Sequence, residues 1–196
     1  KLQKWFMAIY LITAHKKGIS SLQLGKDIGV TQKTAWFMNH RIRYALTNKS
    51  FDKLNGLVEI DETYVGGKAK NQKYKPAPIK TAVVGMIERQ GNVRVIPVIN
   101  TDNKTLVEVI KDNVDKDATL ISDEHSGYST VKTFMTHNTI NHSVEYANGD
   151  IHTNTIEGFW SQLKRGIIGI YHQVSPKHLH RYCDEFAYRY NTRVIK

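Results

Sequence analysis

The stretch Leu57-Val58-Glu59-Ile60-Asp61-Glu62-Thr63-Tyr64-Val65-Gly66-Gly67 decides how this chain is read. Its β-branched and aromatic residues, closed by a glycine pair, mark a strand. Apolar Val58 and Ile60 alternate with Glu59 and Asp61, which therefore share one face. If the strand is central in a sheet, a carboxylate inside it is costly unless it serves something. At a sheet edge the same acids would simply be solvated.

Working outward, a basic, proline-containing loop follows from Lys68 to Pro78, readable either as a DNA clamp or as a solvated loop. Residues 79–88 and 93–100 read as a hairpin turned at Gln90-Gly91-Asn92. Asp102 is placed to cap a helix over 104–112, and 118–122 forms a short strand ending at Asp123. A helix over 128–135 and a strand over 139–144 are expected next, then helices over 154–167 and 175–190. Three strands, helix, strand, helix, strand, helix is the order of an α/β ribonuclease-H-like mixed sheet with helices on its faces.

Upstream, Leu2, Trp5, Phe6, Ile9, Tyr10 and Ile12 recur with helical period. Ser20-Ser21 can cap a short helix through Ile28, Gly29-Val30 turns the chain, and Thr31 can cap a second helix to about Leu46. Ala35, Phe37, Met38, Ile42 and Ala45 are expected to be its buried side. This small helical helix-turn-helix segment would present Gln32, Lys33, Asn39, Arg41 and Arg43 to phosphates or base edges. An ordinary helical hairpin with a solvated basic face has the same pattern. The expected domains are residues 1–50 and 51–196.

Charge agrees with a nucleic-acid partner. The net charge is +10, and residues 1–50 carry nine basic residues against Asp27 alone. Residues 51–150 hold twelve basic against fourteen acidic residues, and 151–196 seven against three. Basic ends suit phosphate backbones, whereas an acidic middle suits divalent metal. The longest apolar runs are too short to span a bilayer and no secretory signal is visible, so a cytoplasmic location without membrane contact is expected. The lone Cys183 excludes an internal disulfide, and no cysteine cluster could hold zinc.

Three acids stand out. A fourth strand beside the first would bring Asp123 close to Asp61, although Asp123 could instead serve only to cap the next helix. Glu157 follows 157 − 123 = 34 positions later, early in a helix, where it could equally serve the helix dipole. Lys164, two turns on, shares its face, as do Asn154 and Ser161. Three carboxylates can hold two Mg2+ or Mn2+ ions about 3.5–4 Å apart; hard oxygen ligands without thiols favour Mg2+ over zinc. Phe159 and Trp160 are expected in the core, His178 and His180 on different sides of their helix, and His152 at a phosphate.

The run Val58-Glu59-Ile60-Asp61-Glu62-Thr63-Tyr64-Val65-Gly66-Gly67-Lys68 resembles the first-acid motif of insertion-sequence transposases with an ISXO-like domain. Ser122-Asp123-Glu124-His125-Ser126-Gly127-Tyr128 resembles their second. His152 to Trp160, continued by Leu163-Lys164-Arg165-Gly166 and Gly169-Ile170-Tyr171-His172, is similar to their third, and Asp184 to Asn191 to their closing helix. The resemblance covers about residues 57–193. It implies the DDE reaction: water nicks DNA at the element's ends, and the freed 3′-hydroxyl attacks target DNA. It implies Asp61, Asp123 and Glu157 as catalytic metal ligands, with Asn154 as the alternative third ligand, and Lys164 with Arg165 as DNA contacts. The implied partners are double-stranded DNA, as terminal repeats and as target, and a second protomer on that DNA. Such proteins usually carry an N-terminal zinc ribbon with paired cysteines; its absence here suggests a truncated piece. The competing readings are a ribonuclease-H-like nuclease that does not join strands, and a helix-turn-helix regulator with structural acids.

Overall fold

The structure is a computed structural model that describes residues 1–47, 52–67, 80–140 and 152–193. The basic loop expected over 68–78 and the residues 141–144 of the last expected strand lie outside these.

The chain divides into two compact units. One comprises Ser50–Trp160 with Val194–Lys196. Its core is a five-stranded sheet in the order β3-β2-β1-β4-β5, built from β1 (Leu57–Val65), β2 (Thr81–Glu88), β3 (Val93–Val98), β4 (Thr119–Ser122) and β5 (Thr136–Thr139). The fold is a ribonuclease-H-like mixed α/β sheet. β1 lies at its centre, antiparallel to β2 and parallel to β4, so the acids of β1 are not on an edge. Val58 and Ile60 are fully buried against Leu106 and Ile110 of α4 (Asn103–Asn113) and against Leu120, Tyr128 and Val131. Asp102 caps α4 as expected, its Oδ1 accepting Thr105 N–H at 2.8 Å. On the other face, the first half of α5 (Asn154–Gly166) covers the sheet.

Two expectations for this unit are corrected. No α-helix forms over 128–135; two short 3₁₀ turns, Ser126–Tyr128 and Val131–Thr133, stand there instead. Polar side chains compete with the helical ladder: His125 Nδ1 accepts Gly127 N–H, and Asn103 bonds both Gly127 O and Thr130 Oγ1. The last strand begins at Thr136, earlier than the apolar Ile140 suggested, because parallel pairing of Thr119–Ser122 with Thr136–Thr139 fixes its place.

The second unit comprises Lys1–Lys49 with Ser161–Arg193. Here α1 (Leu2–Ala14), α2 (Ser21–Ile28) and α3 (Gln32–Ala45) pack around Ala8, Ile12, Leu24, Ile28, Ala35, Met38 and Ile42. Ser20 and Thr31 cap α2 and α3 through Gln23 N–H and Thr34 N–H, and Gly29 takes the left-handed conformation between them (φ 63°). The buried side of α3 differs from the expected one. Phe37 and Ala45 are exposed, whereas Asn39, His40 and Arg43 are buried. The reason is α6 (Pro176–Asn191), which supplies a polar buried face: Glu185 accepts Arg43 Nε at 2.5 Å, Arg189 Nη2 at 2.5 Å and the Tyr171 hydroxyl at 2.6 Å. Arg43 also lies over the Tyr182 ring, 4.0 Å from its centroid. Between α5 and α6 the helix widens into a π-turn, Ile167–Tyr171, ended by His172 at φ 59°.

Candidate active site

On β1 the side chains alternate as the sequence required, but both faces carry acid. Glu59 and Asp61 point toward α5, while Glu62 lies on the side of Val58 and Ile60.

Glu59 is fully buried and anchors the start of α5. Its carboxylate accepts Thr155 N–H (2.9 Å), Thr155 Oγ1 (2.8 Å) and Ile156 N–H (3.1 Å), plus Arg89 Nε at 2.9 Å. An anion satisfying unpaired N–H groups in a helix's first turn holds that helix end in place. His152 Nδ1 stands 3.3 Å from the same carboxylate, so this histidine faces Glu59.

Asp61 sits one pleat further along the same face. Its Oδ2 accepts the indole N–H of Trp160 at 2.8 Å. Trp160 is thus a core residue, as expected, with a polar role that its place in the sequence does not disclose. Gly85 is cross-strand from Asp61, and a Cβ there would lie 2.6 Å from the Trp160 ring and 2.9 Å from Ile156. Only a glycine leaves room for the indole that holds the carboxylate. Burial raises the pKa of Asp61; the Trp160 hydrogen bond opposes this, and the charges of Asp123 and Glu157 add to it.

The β1–β4 register explains the influence of Asp123. Leu57 pairs with Thr119, Val58 with Leu120 and Glu59 with Ile121; continuing the same offset sets Asp123 level with Asp61, on the same face. Asp123 Oδ1 accepts His125 N–H at 3.1 Å, closing a turn after the strand rather than capping an α-helix. Glu62 forms a second acidic centre, taking the Tyr128 hydroxyl at 2.5 Å and standing 3.3 Å from His125 Nδ1. Burial pushes the Glu62 carboxyl up, and it also senses Asp123 and Asp61. Glu157 is exposed on α5, with Thr153 Oγ1 3.3 Å from its Oε1. Asn154, at the first position of α5, is exposed.

Asp123 and Glu157 are therefore both close enough for their charges to act on Asp61. Among the described residues, however, no three His, Cys, Asp or Glu side chains form a cluster able to hold a metal ion as they stand. The basic residues divide differently. Lys33, Arg41, Lys164 and Arg165 are exposed. Asn39 and Arg43 are 1% and 2% exposed, so neither side chain is presented to a ligand; the sequence could not reveal this because the partner of Arg43 lies 142 positions away. His178 packs against Trp36 and His40 while His180 is exposed, so the two point apart.

Comparison with known proteins adds the family. The ISXO2-like transposase domain matches residues 53–191. The chain belongs to this family. The transposase domain thus covers the whole sheet together with α5 and α6. The chain is also similar to an "Uncharacterized protein in transposable element ISH50" of Halobacterium salinarum, at 28% identity over 84% of this chain and 61% of that protein. An "Uncharacterized transposase-like protein" of Haemophilus influenzae is 28% identical over 53% of this chain and 85% of its own length. The chain spans about three-fifths of the Halobacterium relative (61%). Among the described residues no helix is long and apolar enough to cross a membrane.

Proposed function

We propose that this chain is the catalytic part of a bacterial insertion-sequence transposase of the DDE type, cutting DNA at the element's ends and joining the freed ends to target DNA. The observation that carries the reading is Asp61: a half-buried acid on the central strand, its carboxyl pushed up by burial and by the charges of Asp123 and Glu157. Like charges held together by the fold cost stability, and a divalent cation would relieve that cost. The all-oxygen donor set fits Mg2+ or Mn2+.

In this reading Asp61, Asp123 and Glu157 hold two ions, with Asn154 as the alternative to Glu157. When bound, such ions lower the pKa of an attacking water or 3′-hydroxyl and stabilise the leaving oxygen of an in-line displacement. The protein's own groups do the positioning. Trp160 holds Asp61 through Oδ2. Glu59 anchors the first turn of α5 and so the height of Glu157. Lys33, Arg41, Lys164 and Arg165 are the cations proposed to meet the DNA backbone, and a homodimer bridging two element ends is proposed as the working form.

The test is cleavage and joining of labelled element-end DNA with Mg2+ or Mn2+. Asp61→Asn, Asp123→Asn and Glu157→Gln are each expected to abolish both products while DNA binding persists. Cleavage without any joined product in the unaltered chain would favour a nuclease. DNA binding with no metal-dependent cleavage would favour a regulator. Loss in Asn154→Ala with Glu157→Gln still active would move the third ligand one turn back.

A further inference from the structure

Only three residues, from Gly29 to Thr31, connect α2 to α3; Gly29 is left-handed and Thr31 caps the second helix. A short glycine-containing turn between two packed helices is the build of a helix-turn-helix, whose second helix enters the major groove of DNA. What α3 would present to a groove is its solvent face. Lys33, Phe37, Arg41 and Tyr44 follow one another there at helical spacing, within about 80° of one another at about 100° per residue and along about 16 Å of helix. All four are exposed, Phe37 by 51% and Tyr44 by 64%. Cation and aromatic thus alternate along one stripe, and the Arg41 guanidinium lies over the Phe37 ring, 5.5 Å from its centroid. Trp36 stands apart from the stripe, packed against His40 and His178 with ring centroids 4.2 and 6.2 Å away.

A phenylalanine half in water on a helix surface carries a hydrophobic cost that a partner removes. Charge says which partner. Residues 1–50 carry nine basic residues against Asp27 alone. A second copy of this face would set Lys33 and Arg41 against like charges, whereas a polyanion is drawn to them. In the major groove the apolar group that a base offers is the C5 methyl of thymine. We infer that α3 lies in the major groove of the element-end duplex with Phe37 packed on a thymine methyl, while Lys33 and Arg41, one turn to either side, hold phosphates. The Arg41 stack restrains the ring, so less side-chain freedom is lost on docking. The inference rests on the reading of the chain as a DNA transposase. It adds a residue that reads sequence to cations that only position the duplex.

The test replaces each thymine of an element-end duplex in turn by deoxyuridine, which lacks only the C5 methyl, and follows binding of the full chain by fluorescence anisotropy at fixed salt. At least one replacement is expected to weaken binding by about threefold to fourfold, the worth of one buried methyl-sized group. Phe37→Ala, a change at an exposed position, is expected to bind the thymine and deoxyuridine duplexes equally, and Phe37→Leu to restore part of the difference. Lys33→Ala is expected to weaken both duplexes alike and to reduce the salt slope by about one. Binding that no thymine methyl affects would overturn the inference and leave the transposase reading intact. Methyl dependence that survives in Phe37→Ala would place the reading residue elsewhere and also overturn it. Tighter binding of the separated strands than of the duplex would overturn it as well. A chain that binds no DNA would overturn both readings together.

Discussion

Trp160 does two things at once, and they separate by mutation. Its ring fills the space above Gly85, and its N–H holds Asp61. Trp160→Phe keeps most of the apolar ring and removes the donor. We expect a modest loss of thermal stability but a drop in metal-dependent cleavage of about tenfold or more, since hydrogen bonds to charged groups contribute about 1.5–3 kcal/mol. Equal losses in melting and in activity would argue that the hydrogen bond has no catalytic weight. Gly85→Ala probes the same contact from below. Its Cβ would stand 2.6 Å from the indole, and overpacking of this kind costs about 1–3 kcal/mol, measurable as a lower urea midpoint. Asp61 can be singled out from the sequence because an acid between apolar neighbours on a strand is unusual in itself. Gly85 cannot, since its reason lies in a ring 75 positions away (160 − 85).

Secondary elements are readable where local chemistry decides them. The caps of α2, α3 and α4 are visible as Ser20, Thr31 and Asp102, because a capping side chain acts within three residues. The segment after β4 misleads: its spacing of apolar residues suits a helix, yet Gly127, Ser126 and Thr130 sit in side-chain-bonded turns. What no local pattern could disclose is the tie between β1 and α5. Glu59 looks like a companion of Asp61 in the sequence, but in the fold it is the anchor of a helix that starts 95 positions later (154 − 59). Glu59→Gln keeps the shape and removes the charge, leaving Arg89 and the N–H groups of Thr155 and Ile156 with a weaker partner. Breaking a buried pair of this kind costs about 3–5 kcal/mol. Hydrogen exchange should show the first turn of α5 opening first, whereas uniform loss across the sheet would contradict the anchoring role.

At the scale of the whole molecule, the division of the chain is the feature least legible in advance. A sequence reads from one end to the other, so a boundary near residue 50 is natural; the compact unit formed by Lys1–Lys49 also takes Ser161–Arg193. Charge explains part of this. Arg43 and Glu185 are 2% and 0% exposed and satisfy one another, so neither helix buries its polar face without the other. A fragment of residues 1–50 is accordingly expected to melt at lower urea than the same helices in the full chain, followed by circular dichroism. Acid should also loosen this unit. Burial, followed by the charges of Arg43, His178 and Arg181, lowers the pKa of His40 from 6.5 to about 4. The unfolded chain therefore binds more protons between those values, and the stability present above pH 6.5 is lost as pH falls toward 4. Burial would raise Glu185, but Arg43 and Arg189 outweigh it and hold it below 4.5, extending the loss to lower pH. Asp184, whose carboxyl burial pushes up, works the other way. Urea midpoints measured against pH should fall through this window, and His40→Gln should flatten the upper part; an unchanged slope in that variant would remove His40 from the account. The π-turn at Ile167–Tyr171 has a consequence for how this protein tolerates insertions and deletions. A π-turn amounts to one residue more than an α-helix would use, and here it ends at Tyr171, whose hydroxyl donates to Glu185. Deleting one residue from this turn would restore ordinary winding and leave what lies beyond it in nearly the same phase, because one turn would simply be closed by one residue fewer. A single-codon loss here would therefore be tolerated better than the same loss in the regular part of α5, where each residue carries about 100° of rotation.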